Sequence, residues 1–208
     1  MRIAPGAPVT FGITGASGAP YAVRLLRALN ESGTPVRLIV SGYGLRLLAE
    51  ESGIEGVEGL RAATGDWSRV ECYDSLDRGA TPASGSAPSA GMVVCPCSMG
   101  TIASIAAGTS RNLVERAADV ALKERRPLIL VPRETPLSLI HLENMTRLTR
   151  AGATIMPAAP GFYHRPKSID DLVDFVAARI LDHLGVEHTV GSRWKSGEQP
   201  AEDGADDG

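Results

Sequence analysis

Residues 9–29, VTFGITGASGAPYAVRLLRAL, contain the passage that sets the architecture. A short β-branched and aromatic run gives way to three glycines and a serine, then to a helix-period pattern. Gly12, Gly15 and Gly18 are spaced GxxGxxG rather than in the GxGxxG of the dinucleotide fingerprint. The physics is shared: small residues let backbone N–H groups approach a ligand, and the helix that follows turns its positive end toward it. Pro20 suits a first helical turn, where its missing N–H costs nothing. Ala22, Leu25, Leu26 and Leu29 then fall at i, i+3, i+4 and i+7, forming one apolar face. The stretch reads as strand, tight turn and helix, with Ser17 at the turn. On these residues alone, an anion site and a turn built for packing are equally supported.

The same alternation recurs outward from this unit. TPVRLIVS (34–41) reads as a strand ending at Ser41, and residues 45–52 as a short helix. Residues 53–90 read as irregular, with Trp67, Cys72 and Tyr73 leading into the Pro/Gly/Ser loop TPASGSAPSAG (81–91). GMVVCP (91–96) is a buried strand, and CSMGTIASIAAG (97–108) a second small-residue turn running into a helix. NLVERAADVALKER (112–125) is a helix with Leu113, Val114, Ala117, Ala118 and Ala121 on one face. PLILVP (127–132) is another buried strand, RETPLSLIHLENMTRLTRAG (133–152) a helix closed by Gly152, and ATIMPAAPGFYHRP (153–166) a last strand and loop. Ser168 and Asp171 make a capping box for a final helix. There Ile169, Leu172, Val173, Val176, Ile180, Leu181 and Leu184 keep helical spacing. KSGEQPAEDGADDG (195–208) is acidic and poor in apolar residues, the composition of a disordered tail.

A chain of 208 residues, 43% apolar and 22% charged, is long enough for one domain with a real core. Its net charge of −3, with no basic block, argues against a nucleic-acid partner. No apolar run approaches bilayer length and the first residues lack a signal-peptide core, so no membrane association is expected. Among three cysteines, Cys95 and Cys97 are separated only by Pro96; they make no disulfide framework, and no second Cys/His pair stands at zinc spacing. The reading is a cytoplasmic protein without a metal.

Apolar strands each followed by a helix imply an α/β, three-layer fold: a doubly wound parallel sheet in a single domain. In such a sheet ligands bind beyond the carboxyl ends of the strands. The residues placed there are Gly15, Ala16 and Ser17, then Ser41, then 97–101, then Arg133 and Glu134, then 163–165. They are small and hydroxylated after the first strands, charged or phenolic after the last two. Such turns suit a phosphate-bearing cofactor with cations left over for a second ligand.

Three segments carry a resemblance to a known family, the UbiX-type flavin prenyltransferases: GITGASGAPYAVRLL; VVCPCSMGTIASIAAGTSRNLVERAADVALKERRPLILVPRETPLS; and IMPAAPGFYHRPKSIDDLVDFVAARILDHLG. It covers nearly the whole chain from Val9 to Trp194, and RAADVALKERRPLILVPRETP is its most specific run. The resemblance implies a Rossmann-like flavoprotein domain over residues 1–190. It implies a metal-independent reaction joining the dimethylallyl group of dimethylallyl monophosphate to N5 and C6 of reduced FMN. The prenylated FMN would serve a UbiD-type decarboxylase, and the enzyme would be a homo-oligomer, often a dodecamer in relatives. Carried over by position, Gly15, Ala16 and Ser17 lie against the flavin. Ser41 and the turn of Ser98, Met99, Gly100 and Thr101 hold its phosphate and ribityl chain. Arg133 contacts flavin and donor together. Lys123, Tyr163 and Arg179 grip the donor phosphate, with Arg116 reaching in from a subunit contact. Ser17, Glu51 and Glu134 are the catalytic set, the two glutamates as acid/base groups. PASGSAP (82–88) would wall the allylic pocket. Within segment 191–208, Trp194 matches a tryptophan that closes over the site in relatives. Gly42 departs from the pattern, since relatives often carry Lys there.

Other readings compete with these assignments. On spacing alone, Lys123, Arg125 and Arg126 are cations at a helix C-terminus, Glu51 is a solvated helix residue and Arg179 a snorkelling side chain. Ser17 as a serine nucleophile finds no triad, because His141, His164, His183 and His188 stand in no such context. Two rival functions are an FMN-dependent decarboxylase of the phosphopantothenoylcysteine type, for which PRETP replaces the expected substrate loop, and a non-catalytic flavin carrier.

Overall fold

The continuous apolar runs become parallel strands of one sheet. The computed structural model describes residues 6–191. In chain order the elements are β1 (Val9–Ile13), α1 (Ala19–Glu31), β2 (Val36–Val40), α2 (Gly42–Ser52), α3 (Gly56–Thr64), β3 (Val70–Asp74), a 3₁₀ turn (Thr81–Ala83), β4 (Gly91–Cys97), α4 (Met99–Ala107), α5 (Leu113–Lys123), β5 (Leu128–Pro132), α6 (Leu139–Ala151), β6 (Thr154–Ile155) and α7 (Ile169–Leu184). The strand order is β3-β2-β1-β4-β5-β6, and every pair is parallel. Order reverses between β1 and β4, which opens a crevice beyond their carboxyl ends.

The buried strands β1, β4 and β5 are covered on both faces, as their uninterrupted apolar sequence requires. One core packs α1, α3 and α7 on the first face, around Phe11, Leu25, Leu29, Leu38, Leu60 and Ile180. The other packs α4, α5 and α6 on the second face, around Met92, Val94, Ile102, Leu113, Leu130 and Leu148. Ala117, Ala118 and Ala121 lie in the second core, as their spacing predicts. The Ser168/Asp171 capping box forms. Ile169, counted in the apolar stripe of α7, is instead 76% exposed, because the stripe turns inward only from Val173.

Residues 53–90 are not irregular. They hold α3, β3 and the 3₁₀ turn. β3 is an edge strand whose residues VECYD are half-buried or exposed, so no apolar run marks it. α3 buries only Leu60 and Thr64. α2 also begins earlier than its periodicity suggests, at Gly42, because the Ser41 hydroxyl caps it by accepting from Gly44 N at 3.1 Å. A Cβ on Gly44 would lie 2.7 Å from the Ile13 carbonyl oxygen, so this glycine lets the first turn of α2 rest on the end of β1. Gly44→Ala should cost about 1–3 kcal/mol of stability, seen as a lower denaturation midpoint. Gly42→Ala, where a Cβ meets nothing within 4 Å, should leave it unchanged or raise it.

Loop 82–88 leads into the amino end of β4 and so lies at the amino edge of the sheet. Arg37 Nη1 donates to the Pro88 carbonyl at 2.8 Å, Arg126 Nη2 donates to that of Gly85, and Ala90 N donates to Pro8 O. It does not wall the carboxyl-edge crevice of its own chain.

Candidate functional site

The turn after β1 is fastened to the turn after β4. Thr14, buried, donates its hydroxyl to the Pro96 carbonyl at 3.0 Å and accepts from Ser98 N at 2.9 Å. Sequence reasoning passed over Thr14. Its only signal was a hydroxyl just past a buried strand. Two small-residue turns are thereby fixed on either side of the crevice. Ala16 is buried in the first, and Gly18, at φ 128°, closes it but has no side chain with which to cap α1.

The missing cap of α1 comes from the end of α2. Glu51 Oε2 accepts from Gly18 N and Ala19 N, both at 2.8 Å. Burial alone would push the Glu51 carboxyl up. The two backbone N–H groups, the Ser17 hydroxyl and the charge of Arg133 outweigh it and hold the group below its usual range. Arg133 Nε donates to the Ser17 carbonyl at 3.2 Å. Ser17, Glu51 and Arg133, distant in sequence, thus converge beyond β1. Glu134, beside Arg133, is exposed, and its Oε1 accepts from the adjacent Thr135 N at 3.2 Å.

Two further helix N-termini face the same edge. Ser41 caps α2, and Ser98 caps α4 by accepting from Thr101 N at 3.2 Å, with the Ser98 and Thr101 hydroxyls 3.0 Å apart. The first N–H groups of each helix have no intrahelical partner. Met99 contributes its backbone to this turn while its side chain is buried in the core, and a Cβ on Gly100 would find only Ser98 Oγ at 3.9 Å. The α1 N-terminus is already filled by Glu51, so an incoming anion is drawn to α2 and α4.

The remaining sites expected from sequence do not join this group within one chain. Lys123 ends α5, which returns to the amino edge ahead of β5; it pairs with Glu124 and lies near Gly85 of the loop. Arg116, two turns earlier on α5, pairs with Asp119 at 2.7 Å. Tyr163 and Arg179 share a separate cleft of about 550 Å³ between the loop after β6 and α7, lined also by His164, Lys167, Asp182 and His188. There Arg179 Nη1 lies 3.3 Å from Asp182 Oδ2, and the Tyr163 ring meets Phe175 edge-on at 5.8 Å between centroids. Trp194 and the rest of the C-terminal segment beyond residue 191 fall outside the described residues. Burial pushes the Cys95 and Cys97 thiols far up, so both are inert core groups.

The crevice fits FMN on its own chemistry. Two helix N-termini with hydroxyl caps suit a terminal phosphate, a turn of small residues admits a flat ring close to the backbone, and Arg133 offers a cation beside it.

A family model described as Flavoprotein matches residues 3–181. The flavin prenyltransferase UbiX of Halalkalibacterium halodurans is 49% identical over 191 residues, covering 89% of this chain and 92% of the relative. The crystal structure of AnUbiX (PadA1) in complex with FMN and dimethylallyl pyrophosphate is 38% identical, with a TM-score of 0.86 and coverage of 92% of this chain and 99% of that one. A dodecameric FMN-dependent UbiX-like decarboxylase from Escherichia coli O157:H7 is 44% identical, with a TM-score of 0.82 and coverage of 90% and 98%.

Proposed function

The chain belongs to the flavoprotein family and, within it, to the UbiX-type flavin prenyltransferases; from that premise we propose how its residues divide the work. It is a prenyltransferase, FMN is its flavin, and a dimethylallyl phosphate ester is its donor. We take the monophosphate as that donor, bonds to N5 and C6 as the outcome, a UbiD-type decarboxylase as the recipient and the cytoplasm as the place of reaction. The free thiols Cys72, Cys95 and Cys97 suit a reducing compartment.

The carrying observation is the convergence of Ser17, Glu51 and Arg133 with the capped N-termini of α2 and α4 at one sheet edge. Bound in its reduced form, FMN supplies the nucleophilic ring. The N-termini after Ser41 and Ser98 hold its phosphate, and the turn of Gly15, Ala16 and Ser17 supports the ring. Arg133, oriented by the Ser17 carbonyl, faces flavin and donor. Lys123, Arg116, Tyr163 and Arg179 bind the donor's phosphate, where fixed cations stabilise charge as the C–O bond breaks. Glu134, exposed beside Arg133, is placed to move a proton. Glu51, held ionised by two backbone N–H groups, positions the β1 turn.

Lys123 ends α5 at the amino edge while Arg133 follows β5 at the carboxyl edge, so a site that uses both draws on more than one subunit. The dodecameric relative supports a homo-oligomer of that size. Leu139, Ile140 and Leu142 lie exposed on α6, which buries only Leu148, and this apolar face suits a contact between subunits.

The deciding experiment is anaerobic incubation with reduced FMN and dimethylallyl monophosphate, followed by mass spectrometry of the released flavin. A flavin heavier by one dimethylallyl group is expected, with the pyrophosphate as a control donor. An unaltered flavin with both donors would overturn the reading. Tyr163→Phe and Arg179→Ala should each lower kcat/KM for the donor by roughly ten- to a hundred-fold, the worth of one charge-assisted phosphate contact, while leaving the Kd for FMN unchanged.

A further inference from the structure

Resting on the assignment of the carboxyl edge to FMN, we propose that Tyr43 contacts the flavin directly, its ring laid against the isoalloxazine. Tyr43 is the second residue of α2 and is 73% exposed, although a large aromatic side chain ordinarily gains from burial. Its position is fixed by the flavin turn itself. A Cβ on Gly15 would lie 2.5 Å from the Tyr43 Cβ and 3.3 Å from its Cγ, so the absent side chain of Gly15 admits Tyr43 against the β1 turn. The Tyr43 Cβ cannot yield without moving α2, which Gly44 holds against the Ile13 carbonyl. Gly42, next to it, leaves open space at the helix start.

Charge sets the direction from which FMN meets this ring. Glu51 occupies the N-terminus of α1, leaving the N-termini of α2 and α4 to the phosphate. Tyr43 belongs to the first turn of α2 and touches the turn of residues 15–17. A mononucleotide anchored by its phosphate at these helices, with its ring over that turn, has the tyrosine face on its path. Stacking of a flat heteroaromatic ring on an aromatic side chain contributes about 1–3 kcal/mol.

Tyrosine in contact with oxidised flavin quenches its fluorescence by electron transfer, and phenylalanine does not. FMN titrated into the parent protein should therefore lose emission on binding. Tyr43→Phe should bind FMN within about two-fold of the parent while the bound flavin stays markedly brighter. Tyr43→Ala should bind roughly ten-fold more weakly. Emission quenched alike in the parent and Tyr43→Phe, or parent-like affinity in Tyr43→Ala, overturns the proposal while leaving the flavin site intact. No binding of FMN by the parent would overturn the flavin assignment and this inference together.

Discussion

Two impaired variants, Arg133→Glu and Lys123→Glu, should regain prenyl transfer when their subunits are mixed and allowed to reassemble. Arg133 follows β5 at the carboxyl edge, while Lys123 precedes the same strand at the amino edge. Five strand residues separate the edges by roughly 16 Å, at about 3.3 Å per residue, with the sheet and its helices between them. One donor molecule cannot touch both within a chain. Each reversal removes a charge-assisted phosphate contact and adds repulsion, so each variant alone should fall to about a hundredth of parental activity or less. In randomly reassembled oligomers, a site drawing Arg133 from one subunit and Lys123 from another is unmutated in about one case in four. Product formed per subunit in the mixture is the measurement. A mixture no more active than the average of its two components would remove Lys123 from the site.

Glu51 yields the second large effect, and two substitutions separate its possible roles. Glu51→Ala leaves Gly18 N and Ala19 N without their acceptor and should cost about 1.5–3 kcal/mol of stability, with a matching loss of FMN affinity. Glu51→Gln keeps an acceptor oxygen in place and should retain most of both. The charge adds a pH dependence of defined sign. The folded-state carboxyl titrates below its ordinary value of 4.5, so its contribution is fully present above that value and fades as pH falls through the folded-state pKa. The stability difference between parent and Glu51→Gln should therefore shrink on acidification below 4.5. Denaturant melts across that range are the check. If Glu51→Gln binds FMN normally yet transfers no prenyl group, Glu51 acts on the reaction itself.

Sequence pattern exposed the interior of the fold and hid its rim. β1, β4 and β5 are buried on both faces and read as apolar runs, and α7 announced itself by its capping box. β3 was illegible because an edge strand with one neighbour keeps Glu71 and Asp74 in solvent. The start of α2 was masked because Gly42, Tyr43 and Gly44 are poor helix formers, and only the Ser41 cap marks it. The turns after the strands were legible as a ligand edge from topology alone. Loop 82–88 could have been excluded from that edge by the same rule, since it enters a strand instead of leaving one. The bond from Glu51 to Gly18 and Ala19 spans more than thirty residues and leaves no local trace. Tyr43 lies outside the helix that the sequence marks over residues 45–52, and nothing local ties it to Gly15.

The carboxylate lodged at the head of α1 also decides which nucleotides the protein refuses. In strand order the sheet matches that of a nicotinamide-dependent dehydrogenase, whose pyrophosphate rests at the first helix after β1. Here that berth is filled by a negative charge of the chain's own, fixed by two N–H groups that would otherwise greet the ligand. A dinucleotide entering in the usual pose would meet like charge and find two of its backbone donors taken. A sheet order shared with hydride-transfer enzymes thus carries, at the place where their coenzyme binds, a carboxylate of the chain's own.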